Sequence, residues 1–354
     1  LLIMMDRLNK RIESFYSFTG IEFGLVRIFY CVIYYLIYAL PFKNGLGTVP
    51  DYLYAPNSSS IAYYLIPSIP DEFVFLMLNV IGTIAFVFIF FGYKTKLAGV
   101  VFSLILIFEC SILYSFQKID HTFFNDLSFL VLGFTGWGSR LSVDEYLGKK
   151  SFINNVWLVN FTLLFFFAMF SAGIFKLMDS SYLNLYVHHV ESLVFRYNKG
   201  TDFYQFLNGF IPFGDSFFAE ILDYAAVCFE LGVFLVLINL RWSLIYIGLC
   251  CVFHIFNYKM LAIAFSGVNT FYLVIILITL IKTINTNRLA KIIRNLVIPK
   301  VFYVFLIIIP ILYIYGYTPT PILIKKIGYI NLHLIYLFGV FLSLYRVSSY
   351  RLSK

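Results

Sequence analysis

Charge is the scarcest property of this sequence. Only 12% of its 354 residues are Asp, Glu, Lys or Arg, against about 25% in an average soluble domain. With 61% of the chain hydrophobic, and with 42 Phe and 28 Tyr, a water-soluble fold is excluded, because it could not hide so much apolar surface. The apolar runs lack the alternation of a strand-built barrel, so a transmembrane β-barrel is excluded as well. Cysteines are few: Cys31, Cys110, Cys228, Cys250 and Cys251 all sit inside apolar runs and none has CxxC spacing, so they read as small buried hydrophobes. There is no HExxH. His188 and His189 are adjacent, and on a helix they point about 100° apart, so no metal site is expected. A P-loop, a GxGxxG turn and a GxSxG elbow are all missing, and no internal repeat is evident. The start, LLIMMDRLNKRIE, places its basic residues after its apolar ones. That is the wrong order for a signal peptide, and residues 1–22 read instead as a cytoplasmic or interfacial helix.

What is present is a series of long apolar runs. A membrane span needs about 20 such residues. Ten candidates lie at 23–42, 72–92, 97–116, 121–138, 155–177, 217–239, 242–258, 264–282, 300–317 and 328–345. The fold class expected is all-α, a polytopic transmembrane helical bundle of about 8–10 spans. The fourth and seventh runs are short or polar, and read as tilted or broken. A main domain covers 23–282, with long loops at 43–71 and 178–216. The latter holds His188, His189, Glu191 and Arg196 and reads as a surface amphipathic helix. A basic amphipathic linker follows at 283–299, then two further spans and a basic tail over 300–354.

The net charge of +8 does not indicate nucleic-acid binding, because the basic residues fall in short loops between apolar runs, where topology alone explains them. Placing the N-terminus in the cytoplasm puts 17 of the 26 Lys and Arg on that side, 8 outside and Arg27 within a span. The bias predicts a multi-pass plasma-membrane protein with both termini cytoplasmic. It also places Lys118 and His121 at the external face. The lipid bilayer is thus the first partner expected.

Ionisable residues inside spans are costly and mark functional sites or buried pairs. They are Arg27, Glu109, Asp126, Asp223, Glu230 and His254. Structural pairing, for example of Arg27 with Glu109 or Glu230, is the plainest reading, since buried charges are tolerated when paired. The densest concentration is QKIDHTFFNDLSFLVLGFTGWGSRLSVD (117–144). There Lys118 and His121 are spaced i, i+3, and Asn125 falls next on the same face. A lysine at a low-dielectric mouth loses its proton readily and can act as a base; the competing reading is a lysine snorkelling at a span end. His254 and Asn257, three residues apart, share a second face. There the histidine is a candidate ligand, proton carrier or interhelical hydrogen-bond donor.

Several stretches together resemble a family. QKIDHTFFNDLSFL with RLSVD, FFFAMFSAGIFKLMDSSYL (165–183), CFELGVFLVLINLRWS (228–243), FHIFNYKMLAIAFSGVNTFYL (253–273) and GLVRIFY (24–30) are similar, in order and spacing, to segments of the HTTM proteins. That membrane domain is shared with the vitamin K-dependent gamma-carboxylase. The resemblance covers roughly 10–285, and the sporulation-delaying protein B group of the same wider family matches comparably.

The resemblance implies an epoxidase–carboxylase type of enzyme, lyase- or oxidoreductase-like, whose cofactor is a reduced, vitamin K-like quinone. In that family a lysine deprotonates the hydroquinone, and the matching position is Lys118. His121 and His254 join it as catalytic candidates. Arg27, Glu109, Asn125, Lys176, Glu230 and Asn257 become candidates for lining a substrate or cofactor cavity. The substrate expected is a quinone-like lipid or a peptide at the external face. Two other readings follow from the same sequence. One is a non-catalytic maturation factor whose partner is a small secreted peptide or its precursor. The other is a transporter with Arg27, Glu109 and Glu230 along its path.

Overall fold

The computed structural model describes residues 17–38, 46–56, 58, 60–116, 123–149, 151–179, 216–238, 243–261, 266–282 and 286–294, with 302, 304 and 308. Among these the secondary structure is helical, with no strand. Twelve α-helices follow one another: α1 (Gly20–Tyr38), α2 (Ile61–Leu65), α3 (Glu72–Phe91), α4 (Thr95–Leu113), α5 (Phe123–Phe134), α6 (Val143–Tyr146), α7 (Val156–Met178), α8 (Ser216–Leu231), α9 (Val233–Ile238), α10 (Ser243–Leu261), α11 (Ser266–Ile281) and α12 (Thr286–Arg294). Two short 3₁₀ turns, Leu46–Thr48 and Asp51–Leu53, precede α2.

The apolar runs became helices because nothing polar competes for their backbone, and each ends where the local chemistry changes. Asp71 caps α3 by accepting from the Val74 N–H at 2.9 Å, and Gly92 ends that helix in the left-handed region at φ 73°. Ser60 caps α2 through the Ala62 N–H, and Ser142 caps α6 through the Glu145 N–H. Among the described residues three helices, α3, α4 and α7, are long and apolar enough to cross a membrane; a fourth crossing is made if Thr270–Ile281 and α12, bent by 108°, count as one. Their outward faces carry Phe73, Ile81, Leu97, Leu104, Phe167 and Phe175, all exposed.

The described chain divides into two compact units. One comprises 13–161 and 266–331, the other centres on 162–265. In the larger unit α4 packs along α3 and α5, and α11 packs on α1 and α5. The α4–α5 seam is set by glycines. A Cβ on Gly99 would stand 2.5 Å from the Phe129 carbonyl, and one on Gly133 would stand 3.1 Å from that of Thr95, so only small residues allow this backbone approach. Beside the seam Tyr34, Phe86, Phe102, Phe129 and Trp137 form an aromatic core. Tyr34–Phe129 and Phe102–Phe129 lie edge to face, each with centroids 4.7 Å apart. In the smaller unit α7, α8 and α10 are joined by Phe166–Tyr246 and by Phe229 stacked on Tyr246.

The fourth run, 121–138, read as short and broken, holds α5, whose 12 described residues rise about 18 Å before the chain turns past Phe134. Gly136, at φ 80°, turns the chain where a Cβ would collide with the Phe152 carbonyl. The seventh run forms one continuous helix, α10. It is the sixth that breaks, at Gly232, between α8 and α9. Cys31, Cys250 and Cys251 are buried, whereas Cys228 faces outward. The N-terminal helix (1–16), loop 178–216 beyond Asp179, and nearly all of the two last spans lie outside the described residues.

Candidate functional site

Arg27 sits in α1 with its side chain fully buried. The sequence reading paired it with Glu109 or Glu230. The structure corrects this: its guanidinium is surrounded by carbonyl groups. Nε donates to Phe90 O at 3.3 Å. Nη1 donates to Trp137 O at 2.8 Å and to Arg140 O at 3.5 Å, and Nη2 donates to Leu141 O. The physical reason is the early end of α5. Past Phe134 the chain leaves helical geometry and exposes carbonyls with no intrahelical partner. A planar guanidinium with five donors satisfies several at once, which a lysine ammonium could not do in that geometry. Asp144 and Glu145, just beyond, add favourable charge at longer range. Arg27 therefore acts as a cross-brace between α1, the end of α3 and the 137–141 turn.

A second polar layer in the same unit joins α1, α4 and α5. Asn125, Asp126 and Glu109 are all buried. Cys110 Sγ lies 3.5 Å from Asp126 Oδ1. The Tyr30 hydroxyl donates to Ser128 Oγ at 2.7 Å, and Ser128 in turn donates to the Asn125 carbonyl at 2.8 Å. The Asn125 side-chain oxygen is buried and accepts no hydrogen bond among the described residues. Lys118 and His121, the proposed base and its neighbour, lie outside the described residues.

The third constellation belongs to the smaller unit. Lys176, near the end of α7, donates to Glu230 Oε1 on α8 at 2.7 Å. The helices meet closely there because Gly173 faces Leu231, whose atoms would stand 3.0 Å from a Cβ. Glu230 Oε2 is buried and accepts no hydrogen bond among the described residues. The neighbouring helix α10 presents Tyr246, Cys250, His254 and Asn257, all buried. Their spacing of 4, 4 and 3 places them on one face. The Tyr246 hydroxyl donates to Phe229 O at 3.1 Å, the residue before Glu230, and Phe229 also packs on Phe253, beside His254, with centroids 4.7 Å apart.

The structure thus brings together Lys176 and Glu230, and sets His254 and Asn257 on one face of α10. Sequence reasoning missed Tyr246 and Cys250 as members of that face, although the i, i+4 rhythm leading to His254 was visible. It also missed Trp137 and Gly92 as parts of the Arg27 brace, for which no local signal exists. Chemically, the Lys176–Glu230 pair offers one carboxylate oxygen held by an ammonium and another free to accept, in apolar surroundings.

The class these features define is a chain that is helical among the described residues, with membrane-length apolar helices and polar groups buried between them. No family model matches the chain, and no curated protein or solved structure does so either.

Proposed function

We propose that this chain is a multi-pass plasma-membrane protein of about 8–10 spans, with both termini in the cytoplasm, and that it is an HTTM-type enzyme acting on a reduced quinone-like lipid. Lys118 serves as the base that removes the hydroquinone proton at the external face. His121 and His254 are the further proton-handling candidates. Lys176, Glu230 and Asn257 hold polar groups of the substrate.

One observation carries the reading most: the Lys176–Glu230 pair, in which a half-buried ammonium holds a buried carboxylate, with Glu230 Oε2 accepting nothing among the described residues. An ionised pair on the flank of a membrane-length helix is costly to retain unless it serves a ligand or a proton path. Its spare acceptor suits the hydroxyl of a hydroquinone. The order of motifs from Lys118 to Asn257 supports the assignment of the base.

The test is hydroquinone-dependent oxygen uptake by the purified full-length protein in nanodiscs, alongside Lys118→Ala. Uptake by the wild type and its loss in the variant are expected. Equal uptake by both, or none by either, overturns the assignment.

A further inference from the structure

The sequence marks 43–71 as a long loop, yet its described part from Leu46 to Ile66 is pinned to the ends of two membrane-length helices. Of the last four carbonyls of α4, those of Cys110, Ile112 and Leu113 accept from the turn that follows. The fourth, that of Ser111, accepts from Ser60 Oγ at 3.2 Å, so the stretch completes the helix end. Ser60 Oγ also accepts from the Ala62 N–H at 3.0 Å and starts α2 at that point. The Tyr54 hydroxyl donates to the Ile66 carbonyl at 3.1 Å and closes the stretch on itself. Gly47 lies against the start of α3, where a Cβ would stand 2.6 Å from the Glu72 nitrogen. Leu46, Ala62 and Ile66 form a buried underside, packed with Phe75 of α3 and Ile112 of α4.

Away from that core the same stretch presents apolar and aromatic side chains outward. Tyr52 is 85% exposed and Tyr64 and Leu65 are each 73% exposed, with Leu53 and Tyr63 also exposed. The rings of Tyr63 and Tyr64 lie edge to face, with centroids 5.0 Å apart. The level of these groups is set by α3. Its 20 residues rise about 30 Å, the thickness of the hydrocarbon core. A bilayer that α3 crosses therefore has one boundary at Asp71 and Glu72, which are exposed and beside which this stretch lies. Just past that boundary Phe73, Val74, Leu76 and Met77 are exposed and carry the apolar surface on along α3. Tyrosine suits this depth, because its ring is apolar and its hydroxyl reaches headgroups and water.

We infer that the stretch from Leu46 to Ile66 is an interfacial shelf whose partner is the phospholipid surface. Tyr52, Leu53, Tyr63, Tyr64 and Leu65 seat among glycerol and upper acyl groups, and the buried underside ties them to α3 and α4. The inference rests on the reading above that α3 and α4 cross the bilayer, and it adds a function to the loop. Length and hydropathy say that a helix crosses, whereas a shelf fixed to two helices sets how deep they sit. Sliding the helices outward would pull these side chains into water, and sliding them inward would drag Asp71 and Glu72 into hydrocarbon.

Photocrosslinking of the full-length protein in nanodiscs of phosphatidylglycerol and phosphatidylcholine tests this, with p-benzoylphenylalanine replacing Tyr64 or, separately, Ile81. Ile81 is exposed on α3, about 14 Å along the helix from Glu72, and serves as the reference for the bilayer interior. Intact mass is expected to show a phospholipid added at both positions. Fragmentation should place the attachment near the glycerol for Tyr64 and nearer the acyl ends for Ile81. A lipid adduct at Ile81 with none at Tyr64 overturns the shelf and leaves the membrane reading standing. An attachment at Tyr64 as deep as that at Ile81 overturns the interfacial seat, and a covalent dimer through Tyr64 gives the surface to a second copy of the chain instead. No lipid at Ile81 overturns the membrane reading, and the inference with it.

Discussion

Gly92 stands where any side chain would collide with Arg27: a Cβ there would lie 2.5 Å from Nη1. The glycine serves two needs at once. It ends α3 at φ 73°, and it leaves room for the guanidinium to reach the Phe90 and Trp137 carbonyls. Gly148 has the same φ of 73° but no atom within 4 Å of a built Cβ, and so it reports the backbone cost alone. Gly148→Ala is expected to cost about 1–2 kcal/mol. Gly92→Ala is expected to cost distinctly more, because a clash is added to the same strain. Thermal unfolding of both variants in one detergent decides this; equal losses would show that the brace yields to accommodate a methyl group.

Removing the arginine tests the brace directly. Arg27→Leu leaves the carbonyls of Phe90, Trp137 and Leu141 buried without their donor. At about 1–3 kcal/mol for an unsatisfied buried group, the loss should approach that of a broken buried charge network, ~3–5 kcal/mol. Arg27→Lys retains the charge but not the planar fork, so most of the loss should remain. A lysine variant that unfolds with the wild type would show that charge, not geometry, holds the 137–141 turn.

The Lys176–Glu230 pair predicts non-additivity. Glu230→Leu removes the carboxylate that holds the half-buried Lys176 ammonium and should destabilise by about 1–3 kcal/mol. Lys176→Leu combined with Glu230→Leu should recover most of that loss, because the pair is then removed together. The double variant should nevertheless lack oxygen uptake if the pair holds substrate. Stability and activity together separate a purely structural pair from a site: a double variant that is stable and fully active would assign the pair to packing.

Gly99→Val probes the seam between α4 and α5. The valine must displace the Phe129 carbonyl, 2.5 Å from its Cβ position, and rigid backbone cannot move aside cheaply. Overpacking of this kind costs about 1–3 kcal/mol or more. Cysteine crosslinking between the two helices should weaken in the variant, and an undiminished yield would argue that the seam is looser than drawn.

Much of this arrangement was readable in the sequence, and what was not has physical causes. Eight apolar runs became helices close to their expected positions, because a run of some 20 Phe, Leu and Ile residues leaves little choice. The basic segment after 282 became α12, as its pattern of Leu, Ala and Ile among Arg and Lys required. Lengths were harder. The chain turns after α5 at Gly136, and the carbonyls that Arg27 collects there lie over a hundred residues away, which nothing local to Arg27 marks. The break at Gly232 fell inside a run whose hydropathy is uninterrupted. Partners were hardest of all: composition shows that Arg27 must be compensated, but not that backbone carbonyls, and not Glu109 or Glu230, do it.

The Arg27 brace also has a consequence for timing. The arginine and its acceptors Trp137 and Leu141 are 110 and 114 residues apart. At about 5–20 residues per second of synthesis, α1 waits on the order of 5–20 s for the groups that satisfy its guanidinium. During that interval α1 must stay shielded by the insertion machinery or remain at the surface. The order of assembly is thereby constrained: α1 is locked only after α3, α4, α5 and the 137–141 turn have been made.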